Sequence, residues 1–220
     1  MKKFVLIVAG GSGSRMKSEL PKQFIEIAGQ PVLMHTFKAF QKYDSKLEFV
    51  LVLPKNQVET WNSLCKKHQF TQEYRLAFGG ETRFQSVKNG LALIPDDCVV
   101  FIHDGVRPMV SKETLQNCYE MASKKGNALP VVSVPESIRI LDGKVSKPVD
   151  RSKYYLVQTP QTFKSNLIKN AYQKTTKEIF TDDTTVLEQT GETIYLVEGN
   201  RVNIKITFPE DLIFAKAILS

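Results

Sequence analysis

One alternation constrains this chain more than anything else in it. Short apolar runs at residues 4–9, 49–53, 74–78, 99–103 and 129–134 are separated by stretches in which apolar residues return every three or four positions. Those stretches are 32–40, 58–68, 84–93 and 114–122. A run that is apolar throughout suits a strand buried on both faces, and the intervening amphipathic segments suit helices that cover it. The pattern predicts βαβ units and an α/β fold built on a mainly parallel sheet. Ligands of such sheets sit beyond the carboxyl ends of the strands. The unusual residues follow the runs there, at 10–22, 79–86 and 104–108.

After residue 135 the rhythm changes. The segment from Ser137 through Arg139-Ile140-Leu141 to Asp142-Gly143 and Lys144-Val145 predicts a β-hairpin, because Asp-Gly favours a tight turn between antiparallel strands. No neighbouring helix covers it, and an uncovered ribbon usually packs on something else, often a second subunit. Beyond it, 163–172 reads as helical, 193–197 and 203–206 as extended, and 209–218 as a helix opened by Pro209. No repeat or linker divides the chain. The expectation is one domain over residues 1–220, with 136–150 as a protruding dimerisation arm.

Composition excludes several classes. Cys65, Cys98 and Cys118 are widely spaced, without a CxxC, which argues against a disulfide framework or a structural zinc site. The roughly 18 consecutive apolar residues of a membrane span are missing. Met1-Lys2-Lys3 before the apolar run 4–9 imitates a secretory signal, but the run is short and breaks into Gly10-Gly11-Ser12-Gly13. It reads as a buried strand, and the chain as cytoplasmic. The net charge of +7 raises the question of nucleic acid. Yet 15 Lys and Arg lie in residues 1–110 and 15 in 111–220, so no basic tail or stripe exists. Small anionic ligands fit this surplus at least as well.

Gly10-Gly11-Ser12-Gly13-Ser14-Arg15-Met16, followed by Pro21-Lys22, carries the first chemistry. Glycines after a strand let backbone N–H groups converge on an anion without Cβ atoms intruding. The pattern is neither GxxxxGK[ST] nor GxGxxG, since Met16 stands where the third glycine of the latter belongs. Two fixed cations beside a backbone cradle suit a triphosphate attacked at its α-phosphorus, where negative charge grows on the oxygens. The plain alternative is a turn with two solvated cations. Likewise, Gly79-Gly80 can be an ordinary strand-ending turn, Ser86 can bond locally, and Asp104 and Arg107 can form a surface ion pair of little worth. His103, at the end of a buried strand, reads as a hydrogen-bonded core residue.

Taken together, these segments resemble the sugar-alcohol phosphate cytidylyltransferase family, and within it the 2-C-methyl-D-erythritol 4-phosphate enzymes of the non-mevalonate isoprenoid pathway. The resemblance rests on Leu20-Pro21-Lys22-Gln23-Phe24, Gly79-Gly80-Glu81-Thr82-Arg83, His103-Asp104-Gly105-Val106-Arg107-Pro108, Gln158-Thr159-Pro160-Gln161, Thr181-Asp182-Asp183 and Asn203-Ile204-Lys205, in that order. It implies a Rossmann-like nucleotidyltransferase sheet flanked by helices. It also implies Mg²⁺-dependent in-line attack on CTP, giving 4-diphosphocytidyl-2-C-methyl-D-erythritol and pyrophosphate. By resemblance Arg15 and Lys22 are catalytic, while Ala9, Gly10, Gly11, Gly80, Glu81 and Ser86 bind the nucleotide. Asp104, Arg107, Ser137, Arg151, Thr159, Thr181 and Lys205 would bind the acceptor, with Ser137 and Arg151 reaching the other subunit of a homodimer. The metal is held mainly by the CTP phosphates, with Asp104 a candidate ligand. Val106 and Ser137 depart from the common pattern and border the acceptor segments, so ribitol 5-phosphate is the alternative acceptor. A nucleotide- or RNA-binding module without catalysis is the remoter alternative; the chain lacks the aromatic–basic interleaving that stacks bases.

Overall fold

The computed structural model describes residues 1–10, 20–175 and 179–220. Its first half comprises β1 (Lys2–Val8), β2 (Glu26–Ile27), β3 (Gln30–Pro31), α1 (Val32–Tyr43), β4 (Glu48–Leu53), α2 (Val58–Lys67), β5 (Arg75–Phe78) and α3 (Arg83–Leu91). There follow β6 (Cys98–Asp104), α4 (Lys112–Lys125), β7 (Asn127–Ser133), β8 (Arg139–Asp142), β9 (Val145–Pro148) and β10 (Tyr155–Val157). The chain continues through β11 (Gln161–Lys164), α5 (Ser165–Lys174), α6 (Asp183–Glu188), β12 (Leu196–Glu198) and α7 (Pro209–Leu219).

The main sheet runs β10-β7-β11-β6-β1-β4-β5, and β12 also pairs with β7, in parallel. Strands β6, β1, β4 and β5 are parallel. Their side chains alternate between two cores. Val5, Ile7, Phe49, Leu51, Val99 and Phe101 face Phe37, Trp61 and Leu115 of α1, α2 and α4. Phe4, Leu6, Val50, Val100 and Ile102 face Val87, Ile168 and Leu187 of α3, α5 and α6. Being covered on both sides is why these strands are apolar without alternation. Local signals set the helix ends: Thr82 and Ser111 accept from the amides of Gln85 and Thr114, and Gly126 closes α4 in the left-handed region at φ 101°.

The predicted α/β sheet, its helices and the hairpin are present, with three local differences. Residues 163 and 164, expected in a helix, belong to β11, which inserts antiparallel between β6 and β7. The helix begins at Ser165. Phe163 fits either period over so few residues, and pairing with the open edge of β6 decides it. Residues 203–206 join no strand ladder; the Ile206 amide bonds the Val106 carbonyl instead. Strand β10 and helix α6 are additions that sequence periodicity did not signal.

β8 and β9 form a separate two-stranded sheet, with every residue exposed. Gly143, in the tight turn between them, has φ 59°, which glycine adopts without strain. Among the described residues, no helix is long and apolar enough to cross a membrane.

Candidate functional site

The parallel ladder extends just past the strand ends. Ala9 N donates to Val52 O (3.0 Å), Gly79 N to Leu53 O (2.9 Å) and Gly105 N to Val8 O (2.9 Å). Three of the segments singled out by sequence therefore begin side by side at the carboxyl edge. Gly10 opens the first of them, half-buried, while Gly11 and Arg15 lie outside the described residues. Lys22 is buried, at 8% exposure, in a 3-10 turn spanning Lys22–Phe24. Gln23 pins that turn to the end of β1 by donating to Ala9 O (2.8 Å), and Phe24 stacks against Trp61 with ring centres 6.0 Å apart.

At the end of β5, Ser86 Oγ accepts from the Gly80 amide (3.1 Å) and donates to Thr82 O (2.9 Å). Gln85 Oε1 accepts from the Glu81 amide (2.9 Å). A Cβ on Gly80 would lie 2.5 Å from Gln85 Cβ, so the tight loop requires glycine there. Ser86 does bond locally. The Gly80 and Glu81 amides are thus each satisfied by a side chain of the same loop and helix start.

Across β1, Asp104 ends β6 opposite Val8. A cavity of about 270 Å³ opens beside it, lined among others by Asp104, Arg107, Thr159, Thr181 and Lys205. Five residues expected on the acceptor side thus meet in one place. Arg83, Gln158, Gln161 and Asp182 line the same cavity. Asp104 Oδ2 lies 3.2 Å from Lys205 Nζ and 3.2 Å from Arg107 Nε. Burial alone would raise the Asp104 pKa, but Lys205, then Arg107 and Arg83, reverse that and hold it well below the usual carboxylate range. Arg107 Nη1 also donates to Asn203 O (2.8 Å), which ties residues 203–205 to the end of β6.

Behind Asp104 lies a relay centred on the fully buried His103. The Asp104 amide donates to Thr159 Oγ1 (3.1 Å), which lies 3.0 Å from His103 Nδ1; His103 Nε2 lies 2.9 Å from Arg107 O. Burial lowers the His103 pKa to about 4, so the ring is neutral at neutral pH. One tautomer satisfies every group: Nε2–H donates to Arg107 O, and Nδ1 accepts the Thr159 hydroxyl proton. Thr159 lines the cavity, but its hydroxyl is engaged in fixing the 103–107 turn.

The model of the 2-C-methyl-D-erythritol 4-phosphate cytidylyltransferase family matches residues 3–220. The chain belongs to that family. It is accordingly a nucleotidyltransferase. The family's enzyme from Bacteroides thetaiotaomicron is 52% identical over 219 residues, covering 100% of each chain. The Phocaeicola vulgatus enzyme is 48% identical at the same coverage. Among solved structures, 4-diphosphocytidyl-2C-methyl-D-erythritol synthase from Anaerococcus prevotii superposes with a TM-score of 0.83 at 30% identity, covering 99% of this chain and 96% of that one.

Within this family frame, Ser137 and Arg151 stand apart from the cavity of their own chain. Both are exposed at the base of the β8–β9 hairpin, where Arg151 Nη1 donates to Pro135 O. Val106, whose departure from the common pattern bore on the acceptor, does not line the cavity. It is buried with Ile27, Val32 and Met109.

Sequence reasoning assigned no role to Arg83, Gln161 or Asp183, although all three lie in the segments that carried the resemblance. Arg83 donates through Nη1 and Nη2 to the two oxygens of Asp183, at 2.7 and 2.6 Å. Burial opposes the Arg83 charge, but Asp183 more than offsets it and raises the Arg83 pKa. Asp183's buried aromatic neighbour, Tyr172, was legible only as a helix-face residue.

Proposed function

We propose that this chain transfers the cytidylyl group of CTP to 2-C-methyl-D-erythritol 4-phosphate, releasing pyrophosphate. The observation that carries the reading is the convergence of Asp104, Arg107 and Lys205 from distant segments around one cavity, next to the strand end where the glycine-rich loop starts. An acceptor phosphate needs fixed cations and a polyol needs acceptors and donors at short range, and these side chains supply both. An oxygen of the acceptor phosphate attacks the α-phosphorus in line. As that P–O bond forms, the bond to the β-phosphate bridging oxygen breaks, and its electron pair leaves with pyrophosphate. The acceptor phosphate is already ionised near neutral pH, so no general base is required. Lys22 and, by family resemblance, Arg15 neutralise the charge that develops on the α-phosphate.

Mg²⁺ fits the donor set. Asp182 Oδ1 is taken up by the Thr185 amide and by the hydroxyls of Thr184 and Thr185. Asp104 keeps Oδ1 beyond its two ion pairs through Oδ2. One carboxylate oxygen together with substrate phosphates is the usual way this ion is held. When bound, Mg²⁺, held in part by Asp104, would supply positive charge that lowers the repulsion facing the nucleophile. We further read the protein as a cytoplasmic homodimer in which the β8–β9 arm carries Ser137 and Arg151 to the partner's cavity. The exposed Ile140, Leu141 and Val145 of the arm support that reading.

The test is pyrophosphate release from each of the four nucleoside triphosphates, with methylerythritol phosphate and ribitol 5-phosphate as parallel acceptors. The expected result is turnover with CTP and methylerythritol phosphate well above every other pair. Equal or faster turnover with ribitol 5-phosphate would overturn the acceptor assignment, and no release with any pair would overturn the reaction.

A further inference from the structure

Arg83 and Asp183 stand a hundred positions apart in sequence and meet in a bidentate pair. The two belong to different halves of the site. Arg83 is the first residue of α3, directly after the loop at 79–82 on the nucleotide side. Asp183 opens α6, directly after Thr181 and Asp182 of the acceptor cavity.

The two sides are not equally anchored. α3 is fixed in the core by Phe84, Val87 and Leu91, and its preceding loop is closed by Ser86. The 181–184 segment has an exposed Thr181 and precedes a helix of only six residues. Val186 and Leu187 anchor the rest of α6 in the same core, and what holds the segment ahead of them is a set of bonds centred on Asp183, whose side chain is fully buried. Tyr172 Oη donates to its Oδ1 (2.6 Å), and Gln161 Oε1 accepts from the amides of Asp183 (2.8 Å) and Thr184 (2.9 Å). An apolar pair of similar volume would stabilise the fold as well as a buried ion pair does. A forked guanidinium on a carboxylate adds fixed distance and fixed orientation.

We propose that Arg83–Asp183 is a positioning pair for the acceptor: it uses rigid α3 as the reference against which Thr181 and Asp182 are set. The proposal rests on the acceptor reading given above. Asp183 and Tyr172 do not line the cavity, so they act through Thr181 and Asp182. Arg83 does line it, together with Arg107 and Lys205.

The test uses the full chain with Tyr172→Phe, Asp183→Asn and Arg83→Lys. Tyr172→Phe removes one hydrogen bond to Asp183 and substitutes no cavity-lining residue. It should raise the KM of the sugar-alcohol phosphate about three- to tenfold and leave the KM of CTP within about twofold, the pattern of a lost ground-state contact on one substrate only. Asp183→Asn and Arg83→Lys should raise the acceptor KM further, by about tenfold or more, with the same split. An unchanged acceptor KM in Tyr172→Phe, or an equal rise in both KM values, would overturn the proposal even if the other two variants fail to fold. A second readout does not depend on turnover. In Tyr172→Phe, amide hydrogen exchange should quicken at 183–185 and stay unchanged at 80–86; equal protection at both would also overturn it. An inactive wild-type enzyme would defeat the acceptor reading, while the exchange measurement would still decide the pair.

Discussion

Lys205 Nζ lies 3.2 Å from Asp104 Oδ2, joining the last segment before α7 to the end of the sixth strand. Lys205 is nearly half exposed, whereas the Asp104 side chain is almost enclosed. In the free protein the pair therefore stores a cation at the cavity mouth. On the acceptor reading proposed above, an incoming phosphate would compete with Asp104 for it, and Arg107 would remain to neutralise the carboxylate.

Lys205→Ala should accordingly weaken acceptor binding more than nucleotide binding. The expected change is a rise of about tenfold or more in the KM for the sugar-alcohol phosphate, with kcat falling less, as for a contact made in both ground and transition states. Steady-state kinetics with each substrate varied in turn check this. A selective rise in the KM for CTP would move Lys205 to the nucleotide side.

His103 makes a prediction about stability against pH. Its folded pKa of about 4 lies below the ordinary histidine value near 6.5, so between those limits the unfolded chain binds a proton that the folded chain refuses. Stability from this group is complete above the unfolded pKa and is lost as pH falls towards 4. The loss is roughly 2–4 kcal/mol at full extent. Denaturant unfolding at pH 7.5 and pH 5 should show most of it in the wild type and little of it in His103→Asn. The variant will be less stable at pH 7.5, since the Thr159 and Arg107 partners lose their shared ring. Equal slopes of stability against pH in both proteins would remove His103 from the account.

The legibility of this structure in its sequence follows the range of the interactions. β1 and β6 each carry an unbroken apolar run, at 4–8 and 98–102, flanked by amphipathic helices, so their central, doubly covered places were readable from local pattern. Asp104 and Arg107 were readable too, because a charged pair directly after a buried strand falls at the carboxyl edge of a parallel sheet. Lys205 was linked to Asp104 only through family resemblance, and the Arg83–Asp183 pair was not signalled at all. Both are products of topology: β11 must first insert between β6 and β7 before α5 and α6 come back over α3. The same insertion explains why Phe163 misled, since periodicity cannot say which strand edge is left open. Thr159 was expected to face the acceptor, and only the folded arrangement reveals its hydroxyl turned towards His103 and the Asp104 amide.

Lys22 is the simplest test of the chemistry itself. It is buried, in a turn held by Gln23 and Phe24 beside the end of β1. Lys22→Ala should cut kcat by about 10²–10³-fold, the usual effect of removing a preorganised electrostatic stabiliser, with small changes in melting temperature. Single-turnover measurement of pyrophosphate release reads the chemical step directly. Near-normal turnover in a folded Lys22→Ala protein would exclude it from the catalytic role.

The β8–β9 hairpin supplies the last prediction. Ile140, Leu141 and Val145 are 56%, 71% and 60% exposed there, and Tyr155 and Leu156 of β10 continue the apolar surface at more than half exposure. A lone two-stranded ribbon is marginal in water, and surface of this kind gains about 25 cal/mol for each Å² of apolar area that a second copy covers. Sedimentation should therefore show a dimer for the full chain. Replacing residues 139–148 with a short glycine–serine turn should shift it to monomer without unfolding the main sheet, to which β8 and β9 do not pair. Activity should fall when the dimer is lost, because Ser137 and Arg151 lie at the base of the arm and outside their own chain's cavity. Mixing an Arg151→Ala chain with a Lys22→Ala chain then distinguishes a shared site from a merely tethered one. If each arm serves the partner's cavity, a mixed dimer places both lesions in one of its two sites and leaves the other intact; random pairing of equal amounts makes about half of the dimers mixed, so activity returns to about a quarter of wild type on mixing, by the closed two-fold symmetry of such dimers. Additive loss with no recovery would mean that each chain completes its own site.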